Sequence, residues 1–409
     1  MRTIGSHLNL PIVADLQKDD YKIIQLPAIN NVKRRKMQNP KCEAYAINFK
    51  NDIQKYITKF NFSFKNFIGI ILYADDITVS QPLGPFRRNN SFTHVAYRLS
   101  NAIELTSSEL IHFRTYGVAQ TKFAKFDHYQ TLIRETIMDI NTTEIKTQHG
   151  IMKVKVELVI GDNQFMHYLF KTPLIFTNRG RNNCRCCTIS GTDWHKYKTA
   201  QSILPHVRKQ HTISFLPENN HLNMDGFHDI IGGCLNYFLS GSISIFLKLL
   251  KNNFTEQQLI NAILNNAFEF DKENELRTLL RPGFFKINKK DHFKNKTNVS
   301  GSECLLIAHC FWIILKEQIN ETQNESIKHK FKEIEILIKA CLNLGYAIND
   351  YKLDIEECAV IFEKNAKAVY ETMFLLFENY KCFLACLTQL DLKALTEELK
   401  ISYAIQCVV

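Results

Sequence analysis

IMKVKVELVIGDN, residues 151–163, is the stretch on which the fold turns. Met152, Val154, Val156, Leu158 and Ile160 alternate with Lys153, Lys155 and Glu157, the period of two that marks a half-buried strand. The strand runs into Gly161, Asp162 and Asn163, and a short amphipathic helix is expected around Phe165–Phe170. Upstream, Leu132, Ile133, Ile137 and Ile140 stand at helical spacing within Tyr129–Ile140. Three apolar, β-prone runs precede that helix, at Ile68–Tyr73, Thr93–Leu99 and Leu110–Val118, and read as a meander.

The resulting order, β-β-β-α-β-α, predicts an α/β protein with a ribonuclease H-like core. Residues 1–60, broken by Pro11, Pro27 and Pro40, read as a lead-in without a clear period. Residues 61–180 are expected to hold the first part of the core. Residues 181–215, rich in polar, basic and cysteine residues, read as an insertion or small metal-stabilised knuckle. From 216 to 409 the periodicity is almost entirely helical, with helices expected near Phe246–Leu250 and over 257–268, 304–319, 327–344 and 355–377. The C-terminal half is therefore expected to be mainly α.

Composition bounds the partners. The chain has 409 residues, 45% of them hydrophobic and 11% aromatic, enough to build cores rather than remain disordered. Its 51 basic against 41 acidic residues leave a charge of +10, compatible with a polyanionic partner such as DNA. The opening MRTIGSHLNLPIVADLQKDD has no continuous apolar segment of the secretory kind, and no run is long enough to span a membrane, so a soluble intracellular protein is expected. The 12 cysteines are then expected to be mostly reduced. Cys304, Cys310, Cys341 and Cys386 lie in apolar runs and read as small hydrophobes. Lys33, Arg34, Arg35 and Lys36 form a short basic run that fits either a nuclear address or a solvated loop.

Two features carry chemistry. Asp75 and Asp76 end the first strand of the meander and Asp162 ends the fourth, and in the expected fold these ends are neighbours. Carboxylates meeting at strand ends suit two-metal phosphoryl transfer, with Mg2+ or Mn2+ held by hard oxygen ligands. A third carboxylate normally completes such a site. The plainer reading of each aspartate is a turn or cap residue. Arg87 and Arg88, just beyond the strand, are placed to meet a DNA backbone or simply water.

The second feature is Cys184-Arg185-Cys186-Cys187. Cys184 and Cys187 form a CxxC pair that, with a downstream histidine such as His195, offers part of a tetrahedral Zn2+ set; His206 and His211 follow. Arg179, Arg181 and Arg185 set positive charge beside it, suited to phosphate contact.

YADDITVSQPLG, HVAYRLSN, ELVIGDNQFMH, CRCC and MDGFHDIIGG occur in that order over residues 67–283. Together this series resembles transposase-like proteins dispersed in animal genomes and related to the CACTA-type DDE transposases, whose pattern runs approximately YDD, NPLG, GDN, CRxC, HDxxEG. The resemblance implies an RNase H-like core with a helical insertion, acting on DNA in the nucleus by metal-dependent cleavage and strand transfer. It makes Asp75 or Asp76 the first acid and Asp162 the second, and sets His228 and Asp229 on the HD of HDxxEG. Two departures follow. Gly232 stands where the pattern has glutamate, leaving Asp229 and Glu303 as the possible third acid. No zinc module is visible before Asp75, as in an N-terminally short or decayed copy.

Three functions stay open on these residues: a DDE transposase, which can act as a homo-oligomer; a non-catalytic, domesticated nucleic-acid-binding derivative; and a standalone RNase H-like nuclease. Tyr73-Ala74-Asp75-Asp76 also matches the catalytic hairpin of reverse transcriptases locally, but only 74 residues precede Asp75 and no polymerase motif lies among them.

Overall fold

The computed structural model describes residues 21–26, 42–78, 91–103, 110–121, 127–172, 184–190, 193, 196–197, 200–218, 220, 231, 234–250, 253–285, 299–349 and 355–377. These residues form a mixed α/β protein whose C-terminal half is mostly helical. They divide into two compact units, the first formed by residues up to 172 with 210–220, the second by the remainder.

The first unit is built on seven strands: β1 (Tyr21–Gln25), β2 (Glu43–Ile47), β3 (Ile68–Thr78), β4 (Ser91–Leu99), β5 (Arg114–Gln120), β6 (Glu144–Thr147) and β7 (Gly150–Gly161). Their order across the sheet is β1-β2-β5-β4-β3-β7-β6. Every neighbouring pair is antiparallel except β3 and β7, which run parallel. A parallel neighbour needs a crossover, supplied here by α2 (Asp127–Asn141) after α1 (Phe49–Phe60) and before α3 (Asn163–Leu169).

β3 lies centrally and has apolar residues on both faces. Ile68, Ile70, Leu72 and Ala74 join Val95, Tyr97 and Leu99 of β4 and Val154, Val156 and Val159 of β7 in one core. Leu132, Ile133, Ile137 and Ile140 of α2 and Phe49, Ile53, Tyr56 and Ile57 of α1 pack into the same core. The helical spacing of those side chains explains why these segments are helices. Ile71 and Leu158 are buried as well, and alternate with the core-facing set.

The lead-in is more structured than its mixed polarity suggests. Asn48 caps α1 by accepting from the Asn51 amide, and Asp52 then accepts from Tyr97 Oη (2.6 Å) and Arg114 Nε (2.7 Å). β2 joins the sheet through β5. The third run begins as a single 3-10 turn at Leu110–His112, and its strand starts at Arg114. The outer edge of β7 beyond β6 is closed by side chains: Asn141 Oδ1 accepts from the Val156 amide (2.8 Å), while Asn220 bonds both the amide and the carbonyl of Val159 (2.7 and 2.9 Å). These contacts satisfy backbone groups that a further strand would otherwise pair.

The second unit contains α4 (Ala200–Ile203), α5 (Asn236–Leu249), α6 (Glu256–Phe268), α7 (Glu273–Leu279), α8 (Gly301–Glu321), α9 (Glu325–Asn349) and α10 (Ile355–Leu376). α5 is buried on nearly all sides, among residues of α6, α8, α9 and α10. Capping boxes at Thr255/Gln258 and Ser300/Glu303 start α6 and α8. Cys304, Cys310 and Cys341 are buried in this core as small hydrophobes, with the Cys310 thiol pushed up to about 12 chiefly by burial. Among the described residues no helix is long and apolar enough to cross a membrane.

Candidate functional site

The end of β3 carries the two adjacent aspartates, and the pleat sends them to opposite faces. Asp76 lies across from Thr93 of β4 and Asp75 across from His94. Thr93 belongs to the run Thr93, Val95, Tyr97, Leu99 that faces the helices, so Asp76 shares the helix-covered face. There its Oδ1 accepts three hydroxyls: Thr93 Oγ1 at 2.7 Å, Tyr129 Oη at 3.1 Å and Thr121 Oγ1 at 3.2 Å. They come from β4, from α2 and from the residue just after β5. Among the described residues no hydrogen bond reaches Oδ2 of Asp76.

Asp75 is satisfied locally. Oδ2 accepts from Tyr73 Oη (2.9 Å) and Oδ1 from the Asp76 amide (2.6 Å). Its charge acts on His94, whose pKa burial lowers and Asp75 partly restores; the ring bonds Thr115 Oγ1 at 2.9 Å.

Asp162 follows Gly161, the last residue of β7 in register with β3, where it pairs with Ala74. Gly161 is required by close approach: a Cβ there would run into the Ala74 carbonyl and the Phe165 ring. Asp162 is the N-cap of α3, its Oδ1 accepting from the Phe165 amide at 2.6 Å.

Tyr129 joins the two acids. Its ring stands edge-on to Phe165 (5.2 Å, 88°) and stacks on Tyr168 (5.6 Å, 18°), both on the helix that Asp162 caps. Burial pushes its phenol well above the usual range, helped next by the negative charge of Asp76 and opposed by the Thr93 hydrogen bond, with the Asp76 hydrogen bond and, least, the Asp162 charge adding to the rise. The structure therefore sets Asp76, held by the Tyr129 hydroxyl, and Asp162 at the same end of two neighbouring parallel strands, and turns Asp75 to the other face. Neither Tyr129 nor the threonines stand out in the sequence; only the pairing of β3 with β4 could have pointed to Thr93.

Glu303, read as a possible third acid, is the third residue of α8, where its carboxylate accepts from the Ser300 amide at 2.6 Å in the capping box. Asp229, His195, Arg87, Arg88, Arg179 and Arg181 lie outside the described residues. Among the described residues no group of three or more histidine, cysteine, aspartate or glutamate side chains is placed to hold a metal ion.

The cysteine cluster is an interior feature. Cys184, Cys186 and Cys187 are buried, and the Cys186 amide donates to Cys184 Sγ at 3.4 Å. The Cys184 thiol is held well below its usual range by hydrogen bonds from the Cys186 and Cys187 thiols, with burial opposing and the two backbone amides assisting. Cys187 bridges Val207, and Arg208 bonds the carbonyls of Cys186 (2.8 Å) and Cys184 (3.3 Å). Arg185, expected to face phosphate, is only 4% exposed. The His206 ring meets Tyr197 at 4.5 Å. His211 belongs to the sheet unit and uses both ring nitrogens, Nδ1 accepting from the Ile213 amide (3.1 Å) and Nε2 donating to the Pro217 carbonyl (2.7 Å).

Hard carboxylate oxygens on Asp76 and Asp162 match a divalent ion such as Mg2+ or Mn2+ in donor chemistry, and the described residues supply two such acids. Two thiols with one strongly acidified match Zn2+ in donor type. In comparison with known proteins, the chain matches no protein-family model and no curated protein.

Proposed function

We propose that this chain is a transposase-like protein whose first unit is an RNase H-like core, descended from an enzyme that cut and joined DNA with Mg2+ or Mn2+. The observation that carries the reading is the placement of Asp76 and Asp162 at the same end of two neighbouring parallel strands, β3 and β7. The sheet supports it: β3, β4 and β5 are consecutive antiparallel neighbours, and a helical crossover then lays β7 parallel to β3. This is compatible with the β-β-β-α-β-α order of an RNase H-like core, with β6 added between α2 and β7. The ordered motif series from YADD to HDIIGG supplies the transposase part of the reading.

In this reading Asp76 and Asp162 hold the divalent ions, and Asp75 is a neighbour that shapes the strand end. Bound ions would supply charge neutralisation at a DNA phosphodiester and activation of the attacking oxygen. The chain's own residues orient the two carboxylates and limit water on the helix-covered side. The excess of basic residues favours DNA as the partner through its phosphates, and the same ancestry makes the nucleus the site of action. Zn2+ at Cys184 and Cys187, completed by a residue such as His195, would brace the second unit rather than take part in chemistry.

A second reading, a domesticated protein that binds DNA without cutting it, draws on Gly232, which stands where the motif has glutamate. Labelled DNA carrying the flanking element's ends, incubated with Mg2+ or Mn2+, separates the two. The expected result is weak nicking by the natural chain, about tenfold or more stronger in Gly232→Glu and absent in Asp162→Ala. Nicking that persists undiminished in Asp162→Ala overturns the catalytic assignment. DNA binding with no nicking in any variant establishes the second reading.

A further inference from the structure

Asp76 is held in an unusual way for a surface-reaching carboxylate: three neutral hydroxyls from three elements converge on one of its oxygens. Thr121 is itself fixed by a 3.1 Å bond with Ser91 Oγ. Tyr129 is 2% exposed, and its ring is wedged against Phe165 and Tyr168. Gln130, the next residue of α2, donates to the Leu169 carbonyl of α3 at 2.7 Å, so the two helices are tied beside the ring as well.

We infer that Thr93, Thr121 and above all Tyr129 are positioning residues that make Asp76 a one-oxygen ligand and set its spacing from Asp162. The inference rests on the divalent-ion reading of those two acids. Three donors fill the lone-pair directions of Oδ1, so a cation approaches through Oδ2. Thr93 and Thr121 fix the carboxylate to the sheet. Tyr129 does more, because the same side chain that bonds Asp76 packs against the helix that begins at Asp162. A shift of α3 moves the Tyr129 ring, and with it the hydroxyl on Asp76.

Partners that orient a ligand from behind typically change ion affinity by about 10–100-fold when removed. Mn2+ affinity can be read from the free-ion spin-resonance signal, and Tb3+ luminescence excited through tyrosine reports an ion close to a phenol ring. Neither needs catalysis. Asp76→Asn and Asp162→Asn should abolish the high-affinity Mn2+ site. Tyr129→Phe, which keeps the ring and its packing, should weaken Mn2+ binding about tenfold with little change in thermal midpoint. Thr93→Val should weaken it similarly, and Thr93→Ser should restore it. Tb3+ emission at saturation should survive in Tyr129→Phe only to the extent that more distant tyrosines contribute.

Unchanged Mn2+ affinity in both Tyr129→Phe and Thr93→Val, with the site still lost in Asp76→Asn, overturns the positioning role and leaves the metal reading standing. Absence of Mn2+ binding by the natural chain, or binding indifferent to Asp76→Asn and Asp162→Asn, overturns both.

Discussion

Asp75 and Asp76 are chemically identical neighbours at the end of one strand, and the two faces of the sheet treat them differently. Asp76 is gripped by residues from β4, α2 and the position just after β5. Asp75 is met by Tyr73, two residues away on its own strand, and by the next backbone amide. Long-range partners fix a carboxylate relative to the rest of the fold, whereas local partners move with it. A functional group that must meet another from a distant part of the chain needs the first kind of support. The pleat, not the motif, therefore decides which of the two acids is held by distant elements of the fold.

The largest expected effect tests that asymmetry directly. Asp76→Ala leaves three buried or half-buried hydroxyls without their shared acceptor, and should lower unfolding stability by about 2–4 kcal/mol. Asp75→Ala removes only local hydrogen bonds and should cost less than about 1 kcal/mol. Urea denaturation midpoints of the two variants measure the difference. Equal losses would dissolve the distinction between the faces.

A smaller effect concerns the partner acid. Asp162→Ala removes the cap of α3, a helix of seven residues, and should cost about 1 kcal/mol. Asp162→Asn retains a capping oxygen and should be nearly neutral for stability while losing the ion. Stability and Mn2+ binding therefore separate at Asp162, whereas at Asp76→Ala they fall together. If Asp162→Asn is as unstable as Asp162→Ala, the residue serves α3 by its charge rather than as a hydrogen-bond acceptor.

The helical spacing of Leu132, Ile133, Ile137 and Ile140 made α2 legible because that helix buries one clean face, and the period of two did the same for the start of β7; past Val156 an irregularity shifts the phase, so that Val159 rather than Leu158 or Ile160 joins the core. The long C-terminal helices were legible for the same reason. β1, β2 and β6 were not, since strands of four or five residues with mixed polarity carry no measurable period. α1 did leave a signal, in Asn48 followed by Phe49, Ile53, Tyr56 and Ile57, but prolines before it drew the reading toward irregular structure. At the site, the paired acids were visible and their phase was not. Ile68 to Ala74 is apolar on both faces, so alternation could not say whether Asp75 or Asp76 lies on the helix-covered face. Arg185 shows the opposite: a basic, cysteine-rich loop reads as solvated, yet Arg185 is buried, between cysteines that join a core built largely from helices far along the chain.

The smallest expected effect lies on the Asp75 face. His94 sits across from Asp75 in the β3–β4 ladder, and its ring meets Thr115. Burial lowers its pKa below the ordinary 6.5, and the Asp75 charge pulls it partly back. Asp75→Asn removes that pull, so the His94 resonance should titrate at still lower pH in the variant when followed by NMR. The sign carries through to stability. As pH falls through about 6.5, the unfolded chain takes up a proton at His94 that the folded chain resists, so folding weakens in that window. The weakening should be slightly greater in Asp75→Asn than in the natural chain, and Asp76→Asn should leave the His94 titration where it is. A His94 shift of the same size in Asp76→Asn would mean that the two carboxylates act across the sheet as one charge, and the division of labour between its faces would have to be given up.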